Sequence, residues 1–160
     1  MRLAQHTDYG IRVLIYAAML WPTGKLASIQ EIAEAYGISE NHLMKVVHRL
    51  GLLGLLHTQR GRNGGLRLAA EPSAFKLGEV VRTLEADMHL VECSSDTESA
   101  CPLVGMCRFA LALDEAKTAF LATLDRYTLE DAAGGSSGSG GRKESVVAWM
   151  PRIPAAVRRA

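Results

Sequence analysis

The sequence predicts a mainly α-helical chain with one small β-hairpin, built as a winged helix-turn-helix followed by a long dimerisation helix. Three observations carry this expectation. Two short amphipathic helices meet at Gly37-Ile38-Ser39, two short apolar runs flank a glycine-rich tip at 60–65, and from Phe109 onward apolar residues repeat about every 3.5 positions.

Thr7-Asp8 ahead of Tyr9, Ile11, Val13, Leu14, Ile15, Ala17 and Ala18 predicts a first helix that starts at a Thr cap and stops before Trp21-Pro22. It is apolar on most sides and should be largely buried. Ser28-Ile29-Gln30-Glu31 is a capping box, in which the hydroxyl and the carboxylate each satisfy an orphan backbone amide; Gly37 ends that helix. Ser39 is positioned to cap a third helix, whose Leu43, Val46, Val47 and Leu50 recur at three- and four-residue intervals. Leu55 to Gln59 and Leu66 to Ala69 read as strands around Arg60-Gly61-Arg62-Asn63-Gly64-Gly65, a hairpin that becomes a wing by following a helix-turn-helix. Lys76 to Ala86 predicts an amphipathic helix, and Asp87 to Met106 a loop. Phe109, Leu113, Ala116, Phe120 and Leu124 then form one stripe of a helix, which requires a partner helix to cover it.

Length and composition bound the function. At 160 residues, 48% hydrophobic and 22% charged, the chain can bury one core of ordinary size, which excludes a large multidomain enzyme. The net charge of +1 hides a partition: residues 1–70 carry eight Lys or Arg against four Asp or Glu, residues 71–131 five against twelve, and residues 132–160 five against one. We therefore divide the chain into a basic DNA-binding domain at 1–70, a loop-and-helix region at 71–131, and a linker and tail at 132–160, whose glycine- and serine-rich stretch at 134–141 has linker composition. No run of eighteen apolar residues exists and Arg12 interrupts the stretch nearest to one, so neither a membrane span nor a secretory signal is expected, and the protein is read as cytoplasmic. No Ser/His/Asp set, P-loop or paired acids in a catalytic arrangement is recognisable, so no enzyme is expected.

A second helix of this kind enters the major groove with its N-terminal side chains at base edges. Ser39, Asn41, His42 and Lys45 are placed to read, Asn41 with the amide geometry for adenine and Lys45 with reach to guanine or phosphate. Arg49, further along, suits the backbone or packing. In the wing, Arg60, Arg62 and Asn63 on a glycine tip can enter a narrow minor groove, where negative potential is concentrated. The competing reading, a solvated basic face, is weakened by the coincidence of both elements on the basic part of the chain.

Three cysteines, Cys93, Cys101 and Cys107, lie within fifteen residues. An odd number so confined does not make a disulfide framework and suggests metal or reactive thiols instead. Three thiolates suit an iron-sulfur cluster with a fourth ligand from elsewhere, or zinc with His89 completing the set; packed thiols are the remaining alternative.

Met1-Arg2-Leu3, Thr7-Asp8-Tyr9-Gly10-Ile11-Arg12, Asn41-His42 with Lys45, the wing at 60–65 and the cysteine triplet together resemble the winged-helix iron-sulfur repressors that include the IscR, RirA and NsrR groups. The resemblance runs from Met1 to about Asp131. Thr7-Asp8-Tyr9-Gly10, Leu14-Ile15-Tyr16, Asn41-His42 and Leu90-Val91-Glu92-Cys93-Ser94-Ser95 make the chain most similar to the nitric-oxide-sensing group. It implies a homodimer on double-stranded operator DNA, held by the helix after Cys107, with one cluster per protomer, [4Fe-4S] or [2Fe-2S]. It further implies that Cys93, Cys101 and Cys107 are ligands and that Asp8 supplies a carboxylate across the dimer; a helix dipole alone would also favour an acid at that position. Nitric oxide is the implied signal. Iron-responsive and redox-responsive repressors of the same family, and a zinc- or thiol-based repressor, are the alternatives.

Overall fold

The computed structural model describes residues 3–61, 64–91 and 101–134. Helix α1 (Gln5–Leu20) leads through a 3-10 turn (Trp21–Thr23) to α2 (Ile29–Tyr36) and α3 (Glu40–Leu52); the hairpin β1 (Leu56–Gln59) and β2 (Gly65–Leu68) follows, then α4 (Leu77–Leu84), α5 (Arg108–Leu124) and α6 (Leu129–Ala132). This is the expected mainly helical class with a two-stranded antiparallel sheet.

Local chemistry explains most boundaries. Ser28 closes its capping box on α2: the Glu31 amide donates to the Ser28 hydroxyl (3.1 Å) and the Ser28 amide to the Glu31 carboxylate (2.7 Å). Gly37 ends α2 at φ 65°, and Ile38-Ser39 completes the turn into α3. Two expected caps are corrected. Helix α1 begins at Gln5 rather than at Thr7, which is itself fully buried with its hydroxyl unpartnered. The reason is tertiary: the Ala4 amide donates to the Glu85 carboxylate (2.7 Å) and the His6 ring meets the Leu84 carbonyl (2.9 Å), so the C-terminus of α4 fixes where α1 starts. Ser39 does occupy the N-cap of α3 but makes no side-chain capping bond.

In the hairpin, Leu56 pairs with Leu68, His57 with Arg67, Thr58 with Leu66 and Gln59 with Gly65. The pleat turns Leu56, Leu66 and Leu68 inward and His57 and Arg67 outward. Ala27, just before α2, bridges to Leu66 through paired backbone bonds of 2.8 and 2.9 Å, seating the wing against the helix-turn-helix.

Helix α1 is the spine, packing on α3, α4, α6 and β2. Leu14, Tyr16, Ile32, Leu43, Leu50, Leu66, Leu84 and Leu129 fill one continuous core. Each such aliphatic side chain contributes roughly 1.5–3 kcal/mol relative to exposure. Helix α6 was not anticipated; its signal is a second capping box, with Thr128 on the Asp131 amide and Asp131 on the Thr128 amide. In contrast, α5 buries none of its residues, and Phe109 and Leu111 are 67% and 69% exposed. Among the described residues no helix is long and apolar enough to cross a membrane.

Candidate functional site

The helix-turn-helix presents its second helix outward. Leu43, Val46, Val47 and Leu50 are buried, and the three- and four-residue spacing leaves Asn41, His42, Lys45, His48 and Arg49 on the solvent side, with Ser39 exposed at the N-cap. Burial of one face therefore fixes which side chains can meet a ligand. Arg49 leans back toward α4, its guanidinium 3.5 Å from the Leu84 carbonyl. At the wing, Arg60 is exposed beside Gly61, whose φ of 111° belongs to glycine. Arg62 and Asn63 lie outside the described residues. Sequence reasoning overlooked Arg67 and His57, opposed across the hairpin and both exposed; alternation with Leu66 and Leu68 was the available signal.

The cysteine region is built on a folded turn. The Val104 amide donates to the Cys101 carbonyl (3.3 Å) and the Met106 amide to the Leu103 carbonyl (3.0 Å), so the six-residue step from Cys101 to Cys107 is compact. Cys107 is the N-cap residue of α5, makes no side-chain capping bond and is partly exposed; Cys101 is exposed, and neither forms a disulfide. Cys107 thus stands at the N-terminus of α5, where the helix offers positive partial charge. Cys93 lies outside the described residues. His89 binds instead to its neighbour, with Nδ1 2.6 Å from the Asp87 carboxylate; the His89 backbone N–H holds that carboxyl below the usual range. Among the described residues no group of three or more His, Cys, Asp or Glu comes together at metal-binding distance, so one chain does not bring Asp8 to Cys101 and Cys107.

Asp8 sits in the first turn of α1, where Arg12, one turn on, grips it through Nη2 (2.8 Å) and Nε (3.1 Å). Both side chains remain more than two-fifths exposed, so the pair adds little stability and leaves the carboxylate accessible. The Arg12 guanidinium also lies 5.8 Å over the Tyr36 ring. A cleft of about 490 Å³ opens here, lined by Asp8, Tyr9, Arg12, Tyr36 and Ile38.

Comparison with known proteins decides the family. Residues 3–134 match the Rrf2 model, described as an iron-dependent transcriptional regulator. The chain belongs to the Rrf2 family. Among its relatives is the HTH-type transcriptional regulator NsrR of Bacillus subtilis, 49% identical over 131 residues that cover 82% of this chain and 89% of that protein. NsrR of Shouchella clausii is 47% identical over 82% of this chain and 87% of its own. Solved Rrf2-like structures agree: CymR, the global cysteine regulator of B. subtilis, superposes with a TM-score of 0.67 at 30% identity, covering 83% of this chain and 96% of its own. IscR of T. potens gives 0.63 at 25% identity, covering 88% and 94%. This Rrf2 protein is thus a transcriptional regulator rather than an enzyme, and membership implies DNA as a partner.

Proposed function

We propose that this Rrf2 protein is a repressor that binds operator DNA as a homodimer and releases it in response to nitric oxide, through an iron-sulfur cluster. The observation that carries the DNA half is the outward face of α3, with Ser39, Asn41, His42 and Lys45 exposed above a buried apolar face. Arg60, Arg62 and Asn63 of the wing join them, with Arg49 bracing α3 on α4. Lys and Arg side chains set affinity by neutralising phosphates, and the polar side chains of α3 set sequence preference.

For the sensing half, Cys93, Cys101 and Cys107 would hold the cluster, [4Fe-4S] with [2Fe-2S] as the alternative, and Asp8 of the partner subunit would complete it. The two accessible thiols on one compact turn support this, as does the exposed Asp8 carboxylate. When bound, the cluster would supply iron that is reactive toward nitric oxide. The protein's own part is mechanical. The 101–107 turn opens directly into α5, and Asp8 is one turn into α1, the spine on which α3 packs. A ligand set divided between the two would tie one head to the other subunit. Two half-sites lie about 34 Å apart on DNA, so a small change in head spacing forfeits simultaneous engagement.

The test uses full-length protein prepared without oxygen and a duplex that it has selected from a randomised pool. Iron and sulfide should be present in each chain, and binding should collapse as nitric oxide is added. Unchanged affinity removes the switch. The iron-dependent description of the family favours one second reading, an iron-responsive repressor. Chelation in the absence of nitric oxide would then release the DNA, and added nitric oxide would not. Colourless protein that still binds fully would leave only a zinc- or thiol-based repressor.

A further inference from the structure

We infer that Tyr9 of α1 is a positioning residue for His42, so that base reading by α3 is set partly from the first helix. This rests on the DNA-reading assignment above, to which it adds a residue. The Tyr9 and His42 rings stack with centroids 6.5 Å apart and planes 29° from parallel, within the offset-stacked range of aromatic pairs. Tyr9 is a firm shelf. It is half-buried, packs against the core, and its hydroxyl accepts from the Gln5 side-chain amide at 2.8 Å. His42 is not firm by itself: it is exposed and sits in the first turn of α3, the turn whose side chains reach base edges.

A stack covers one face of the imidazole and leaves both nitrogens, which lie in the ring plane, available at the edge. The approach that permits it is built into the chain. A Cβ on Gly10 would come within 2.9 Å of Leu84 Cδ1, a side-chain end that would have to shift, and at an ordinary 3.7 Å from Leu50 Cδ2, so the missing side chain eases the close packing of α1 on α4. With its neighbour seated so, Tyr9 reaches the start of α3. An unsupported exposed histidine would populate several rotamers and lose that freedom only on binding. The shelf removes part of that loss for a contact with a base edge, which is a gain confined to the correct sequence.

The experiment compares full-length wild type with Tyr9→Phe, Tyr9→Leu, His42→Ala and the Tyr9→Leu/His42→Ala double variant. Each is measured against a duplex that wild type selects from a randomised pool and against a scrambled duplex of the same composition. Tyr9→Phe should keep the ratio of the two affinities within about twofold, since the ring remains. Tyr9→Leu should lower it by about three- to tenfold, the worth of an aromatic pair, and should lower it no further in the His42→Ala background. Tyr9→Met is a second ring-free variant should Leu fail to fold. In wild type alone, the His42 ring protons should show an upfield ring-current shift, and random-coil shifts overturn the inference without any variant. Equal weakening on both duplexes, or losses that simply add, also overturns it. A wild type that selects no sequence overturns the DNA-reading assignment with it, whereas the other results remove Tyr9 alone.

Discussion

Lys45 has one stem and one charge to offer, and α3 directs both away from the core, since Leu43, Val46 and Val47 around it are buried. If it rests on phosphate, Lys45→Ala should weaken selected and scrambled duplexes alike and flatten the slope of log affinity against log salt by about 1. A change confined to the selected duplex would move Lys45 to a base edge. At this scale the sequence was readable where a residue's role is local and misleading where it is not. Ser28 and Glu31 are three positions apart and cap each other as their spacing implies. Thr7 has the chemistry of a cap, yet Glu85, 81 positions from Ala4 and 78 from Thr7, sets the start of α1 and leaves Thr7 inside. The Tyr9–His42 stack likewise depends on two helices meeting, which no spacing rule reveals.

Among elements, the docking of α5 on α4 depends on the absence of one side chain. A Cβ on Gly78 would run into the Asp125 carboxylate and lie 2.9 Å from the Leu121 carbonyl, a backbone atom that cannot swing aside. The same Asp125 pairs with Arg82 at 2.6 Å. Gly78→Ala should therefore loosen α5 and cost about 1–3 kcal/mol despite the better helix propensity of alanine, as read by urea unfolding. A stabilised variant would mean that α5 docks otherwise. Ser28→Ala removes the hydroxyl from the α2 cap and should cost about 1 kcal/mol, with the melting temperature as the measure. Periodicity revealed α3, α4 and α5 because a repeated apolar spacing shows in the sequence whether or not the chain itself covers that face. Helix α6 is a single turn, too short for a period to register, and only its Thr128/Asp131 box betrays it. The stripe on α5 was legible as well, but a stripe states that something must cover it without stating what.

Across the whole molecule, two tyrosines set the behaviour in alkali. Burial, with the Glu31 and Glu34 carboxylates adding to it, pushes the Tyr16 hydroxyl up from 10.0 to about 12; burial does the same for Tyr36 to about 12, against the opposing pull of Arg12. Above pH 10 the unfolded chain releases protons that the native state keeps, so stability should fall as pH rises from 10 toward 12. The Tyr16 hydroxyl is buried without a partner, so Tyr16→Phe should be neutral or slightly stabilising at pH 7 and should reduce the alkaline fall. Circular dichroism melts at pH 9 and pH 11.5 decide it; parallel wild-type and variant curves would count against Tyr16. The fold class was legible because a capping box, a glycine-rich tip and one periodic stripe all agree. The proposed cluster was less so, because among the described residues no three His, Cys, Asp or Glu side chains come together to mark its site.

Helix α5 spans seventeen residues without one of them fully buried. If the proposed homodimer covers this face, the apolar side chains of α5 would meet solvent only in unpaired chains, and dilution should make the protein easier prey for a protease.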